Sequence, residues 1–203
     1  MSTTFYPPNP RLMSTLQSDV AAALLIHGHV AHYQVTPAAP AAAGVHAAVV
    51  DTGALVTIST GLTSPVIPRN ITATAGGTAA DVKAIQVVIT GTDWNDAVIS
   101  ETLPAFTVNT TGIVVGNKAF KTVTSVTIPA HDGTGATTAI GFGSKLGLPA
   151  LLPFDTVLFA AYADTREATA PTIAADATNI SGNSAQLNTA LAGGLVDVFF
   201  VIG

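Results

Sequence analysis

The chain has 203 residues, of which only 9% are charged and 48% hydrophobic, with a formal net charge of −5 and a mean hydropathy of +0.51. An average soluble domain carries about 25% charged residues, so something besides water must cover part of this surface. The seven Lys and Arg residues are scattered singly and offer no stripe for phosphates, and with no cysteine there is neither a disulfide framework nor a thiolate metal site.

In chain order, Met1–Leu12 holds Pro7, Pro8 and Pro10, which fix φ and remove backbone donors, and it reads as an extended arm. A short helix through Asp19–Ile26 is one reading of the next stretch, followed by a strand over His27–Val35. Thr36–Gly44, rich in Pro and Ala and free of charge, reads as a linker or loop. The division that follows is an arm and linker over residues 1–44 and a β domain over 45–203.

From His46 onward, short Val-, Ile- and Thr-rich runs alternate with Gly, Pro, Asn and Asp punctuation, the grammar of sandwiches and barrels. Strands are predicted over Ala47–Val50, Leu55–Ser59, Arg69–Ala75, Ala84–Thr90, Ala97–Leu103, Thr122–Ile128, Ala139–Phe142, Thr156–Tyr162, Thr172–Ala177, Ala185–Asn188 and Val196–Ile202. The clearest unit is Ile85–Thr102, two apolar runs around Gly91-Thr92-Asp93-Trp94-Asn95-Asp96, the pattern of a hairpin. Val98, Ser100 and Thr102 alternate with Ile99, Glu101 and Leu103, which assigns one set to the core and the other to solvent or a partner. In the last strand, Val198–Ile202 is uninterruptedly apolar and cannot alternate, so both of its faces require cover. The fold class is therefore all-β: a single antiparallel sandwich or barrel domain with an extended N-terminal arm.

Membrane insertion is disfavoured. The longest purely apolar run, Val20–Ile26, falls far short of the roughly 20 residues of a spanning helix, and aromatics at 6% are too few for the girdles of an outer-membrane barrel. The N-terminus lacks the basic and apolar segments of a secretory signal.

Candidate chemistry is sparse. His27 and His29 share a strand face, but His32 falls on the other, and with His46 elsewhere and no carboxylate between them they make a poor metal site. Asp93, Asp96 and Glu101 supply oxygen ligands near the hairpin loop without the spacing of a calcium loop, and turn Asp residues ordinarily hydrogen-bond the backbone. Gly141-Phe142-Gly143-Ser144-Lys145-Leu146-Gly147 imitates a phosphate loop but lacks its Lys-Ser/Thr ending, and Pro149 and Pro153 break any following helix, so it reads as a structural turn. There is no Gly-x-Ser-x-Gly elbow, and Ser100 and Glu101 have no neighbouring His. No catalytic, cofactor-binding or metal residue is assigned, and the chain is expected not to be an enzyme. Trp94, at the hairpin tip, is the one aromatic placed to serve as a sugar platform.

The segments Ile89–Asp93 with Ser100–Thr102, Ala119–Val126, Gly141–Pro149, Arg166–Thr172 and Leu187–Leu191 before Val196–Val198 resemble small structural proteins of tailed-bacteriophage virions. The resemblance covers a little over half the chain. It implies a capsid decoration or cement protein, made in the host bacterial cytoplasm, located on the capsid surface and bound to the major capsid protein. It also implies self-association, with a trimer favoured, and no nucleic-acid or membrane partner. A tail component (tube or completion subunit) and a carbohydrate- or receptor-binding β module are the alternatives.

Overall fold

Val, Ile and Thr, whose branched Cβ disfavours helix and fits a pleated surface, fill most of the segments that pair. The computed structural model describes residues 12–16 and 24–202, and over these the chain is all-β, with every strand pairing antiparallel and two single-turn 3-10 segments at Ala79–Asp81 and Ile180–Gly182. No α-helix occurs among the described residues.

Three sheets form. The first runs β1 (Leu12–Leu16), β2 (Leu24–Val35), β15 (Val196–Ile202), β11 (Val157–Tyr162), β12 (Thr165–Arg166). The second runs β13 (Thr172–Ala174), β14 (Ser184–Gln186), β10 (Ala136–Gly147), β5 (Arg69–Gly77), β8 (Gly112–Phe120), with β3 (Ala41–Val50) also paired to β10. The third runs β4 (Val56–Ile58), β9 (Thr122–Ile128), β6 (Val88–Thr92), β7 (Val98–Thr102).

The second and third sheets enclose one core, in which Ile71 and Ala73 of β5, Ile89 of β6, Phe120 of β8, Val126 of β9 and Ile140 of β10 are fully buried. The first sheet closes a second core with Tyr33, Val157, Val196, Val198 and Phe200 packed on Leu146, Leu148, Leu152 and Ala185. Strand β10 serves both, giving Ile140 to one core and Leu146 to the other. A register shift between Phe142 and Leu146 separates the two halves, and such a bulge bends a strand and re-aims its side chains.

The hairpin forms as the alternation requires. β6 and β7 pair from Thr92 with Val98 to Val88 with Thr102, and Val98, Ser100 and Thr102 face outward while Leu103 is fully buried. Strand β15 lies between β2 and β11, with Val196, Val198 and Phe200 on the second core and Asp197 and Val201 buried on the opposite face.

Several local readings need correction. Leu24–Ile26 are strand, the first residues of β2, where a helix was one reading; Asp19–Ala23 lie outside the described residues, as does the arm over 1–11. Ala41–Gly44, read as linker, open β3, and Gly44 is there because a Cβ would stand 2.4 Å from the Phe142 ring. Gly141–Gly147 is not a turn but the second half of β10. Its glycines let the backbone approach other groups: a Cβ on Gly141 would meet the Ala41 carbonyl oxygen at 2.0 Å, and one on Gly143 the Asn70 carboxamide at 2.6 Å. Strand β8 was missed because Gly112, Gly116 and Asn117 interrupt it, yet a Cβ on Gly116 would lie 2.9 Å from the Ile71 carbonyl oxygen.

Candidate functional site

The residues singled out from the sequence are drawn into separate structural tasks. His29 and His32 sit on opposite faces of β2, and the His27 side chain lies outside the described residues. His46, on β3 in another sheet, donates from Nδ1 to the Ala47 carbonyl at 2.8 Å. Among the described residues no three His, Asp or Glu side chains converge as a metal site would need.

The three acids of the hairpin likewise diverge. Asp93, buried, accepts the backbone N–H of Asn95 at 2.9 Å and of Ala97 at 3.1 Å, closing the loop as an Asx turn does. Asp96, with φ of 61°, takes the Lys121 ammonium at 2.8 Å on the exposed surface. Glu101 accepts the backbone N–H of Asn117 at 2.7 Å and of Lys118 at 3.2 Å, so it satisfies donors on the rim of β8. Ser100 donates its hydroxyl to the Ile89 carbonyl at 3.1 Å, and its own carbonyl accepts from Lys118 Nζ at 2.9 Å. Trp94 leans into the second core, edge-on to Tyr33 at 6.1 Å, with its Nε1 buried and without a partner, so the indole nitrogen is not offered at the loop tip.

What the fold does assemble is a stacked row on the outer face of the first sheet. Antiparallel pairing places Phe199 of β15 between His32 of β2 and Phe159 of β11. The His32 ring lies parallel to Phe199 at 4.3 Å and 2°, Phe159 stacks on its other side at 4.6 Å, and Arg166 of β12 sits over Phe159 at 5.2 Å. Asp197 holds the far end: its Oδ1 accepts from His32 Nε2 at 2.6 Å and from Gln34 Nε2 at 2.7 Å, which fixes the imidazole in the plane that stacks. The row is partly exposed, with side chains locked by neighbours on both sides, and it unites the Arg and aromatic types that dominate protein contact surfaces.

Branched aliphatics are exposed elsewhere. Val66 is fully exposed, Val98 on β7 is 78% exposed, and Ile113 and Val115 project from β8, an edge strand whose lower half is capped by Glu101. Exposed β-branched edges of this kind are templates for contact with another chain.

Sequence reasoning passed over two buried groups. His131 is buried, with Nδ1 accepting the Lys83 backbone N–H at 3.1 Å and Nε2 3.1 Å from the Thr138 hydroxyl; burial holds it below the usual imidazole range, against the opposing effect of Asp51. Arg69, noted only as an isolated cation, is 3% exposed at the head of β5. Neither carries a local motif, and each is defined by partners far along the chain. Comparison with protein-family models, with curated proteins and with solved structures finds no match.

Proposed function

We propose that this chain is a structural virion protein of a tailed bacteriophage, a decoration or cement subunit that binds the outer surface of the major capsid shell and strengthens it. The observation that carries the reading is the quantity of aromatic and branched aliphatic surface left uncovered on a chain with 9% charged residues. Such a surface gains free energy by being covered with protein, at about 25 cal/mol per Å² of apolar area. The outer row from Arg166 to His32 supplies rigid anchors whose ordering cost has already been met within the subunit. Each subunit contact can be modest, because many copies on one symmetric shell act together.

The test compares particles with and without the protein for resistance to heat and osmotic shock. Particles lacking it are expected to rupture sooner, and equal resistance removes the cement reading. Particles supplied with Phe199→Ala subunits are expected to bind less of the protein, while the isolated variant stays folded. Light scattering of the pure protein separates the alternatives: a discrete trimer agrees with decoration, whereas rings or tubes point to a tail component.

A further inference from the structure

A guanidinium without a counter-ion is unusual in a protein interior, because the charge has left water and gained nothing equivalent in return. Arg69 is in that position. Its Nη1 donates to the Ala38 carbonyl at 3.0 Å and its Cζ lies 4.7 Å from the Phe142 ring centre, but Nε and Nη2 are buried with no acceptor among the described residues. Burial lowers its pKa only to about 10, so it stays charged at neutral pH. Among the described residues no Asp or Glu lines the space beside it.

That space is a cavity of about 300 Å³ bounded by Pro37, Pro65, Val66, Ile67, Phe142 and Arg69, with hydroxyls from Thr36, Thr63 and Ser64. Thr63 and Val66 are exposed and stand at its mouth. The volume is at the lower end for small-molecule sites.

We propose that this cavity is a binding site for a single carboxylate group carried on a short apolar stem, received by the Nε–Nη2 edge of Arg69. Those two N–H bonds point the same way from one edge of the planar guanidinium, which matches the two oxygens of a carboxylate in a side-on bidentate pair. The apolar walls suit the stem. A phosphate dianion fits less well, since among the described residues the cavity has one cation and a second negative charge would be buried unpaired. Both nitrogens are closed to water, from the cavity as well as from outside, so admission of the carboxylate requires a shift of Phe142, which covers the guanidinium and itself lines the cavity. The carboxylate has two sources, a free organic acid or an acidic side chain of another protein, and the pocket would take either whatever assembly the chain enters.

The experiment measures the melting midpoint of the full chain with butyrate, with the blocked peptide acetyl-Ala-Glu-Ala-amide, and with chloride and phosphate at matched ionic strength. Butyrate or the peptide is expected to raise the midpoint by about 5–10 °C at a hundredfold excess over its Kd. Tighter binding of butyrate identifies the free acid as the source, and tighter binding of the peptide identifies a protein side chain. Arg69→Lys keeps the charge but loses the paired edge, and should weaken binding by at least about tenfold. Should Arg69 variants fail to fold, Thr63→Trp, at an exposed position, blocks the mouth and should abolish the shift with an unchanged unliganded midpoint. The proposal is overturned by equal shifts with chloride or phosphate, by no shift with either carboxylate, or by a shift that survives Thr63→Trp.

Discussion

Asn183 is fully buried and ties together three segments that share no regular strand pairing at that point. Its Oδ1 accepts the backbone N–H of Leu152 at 3.1 Å and of Asp176 at 2.8 Å, while its Nδ2 donates to the carbonyls of Asp176 at 2.9 Å and Asn179 at 3.0 Å. Replacing it with alanine removes four hydrogen bonds and strands the Leu152 N–H inside the second core. A net value of about 1 kcal/mol for each of the three partly buried bonds, with about 1–2 kcal/mol for the stranded donor, puts the loss at about 4–5 kcal/mol. Urea unfolding followed by fluorescence is the assay. With a slope of about 2–3 kcal/mol per molar, the midpoint should fall by about 1.3–2.5 M with the slope unchanged. Asn183→Asp separates the two halves of the effect: it keeps the accepting oxygen but sets a second oxygen against two carbonyls, so it should recover little at neutral pH. A loss below about 1 kcal/mol for the alanine variant would show that water reaches these groups, contrary to the packing described.

Two further outcomes follow from other buried positions. His131 has its pKa lowered in the folded chain, chiefly by burial, so between the unfolded value of about 6.5 and the lower folded value the unfolded chain binds more protons. Its contribution is complete above about pH 6.5 and is lost as pH falls toward the folded pKa; His131→Gln should flatten that portion of a plot of urea midpoint against pH, and parallel curves for the two proteins would refute it. Gly141→Ala sets a methyl against the Ala41 carbonyl on β3, which should cost about 1–3 kcal/mol and accelerate amide exchange selectively across Ala41–Val50; unchanged exchange there would show that β3 does not depend on this close approach.

The parts of the fold legible in the sequence are those whose cause is local. The β6–β7 hairpin could be read because alternation sets Ile99 and Leu103 inward and Asp93 closes the loop on its own neighbours. Strand β15 is equally readable as a strand from its unbroken apolar run, although Val196, Val198 and Phe200 on its inner face are buried while Phe199 on the outer face is half-buried. What escaped was dictated by distant partners. Ala41–Gly44 and Gly141–Gly147 look like flexible connectors by composition, but their small residues are there because two backbones meet closely, and only the three-dimensional pairing of β3 with β10 shows it. The row from Arg166 to His32 brings together side chains from four strands, and neither spacing nor motif announces it. The acids of the hairpin are visible in the sequence, yet their separate duties depend on Lys121 and on the rim of β8.

The place of β15 in the first sheet has a consequence for synthesis. His32 and Asp197, which meet across β2 and β15, are separated by 165 positions. A nascent chain emerging from the ribosome therefore carries a twelve-residue strand, β2, whose neighbour on one side, β15, is made only after the rest of that separation has been translated. During that interval its unpaired edge can recruit strands from other nascent copies, as unsatisfied edges do. Closure of the sheet is thus a late event of high contact order, and the yield of folded protein should respond to how long that edge is shielded by chaperones.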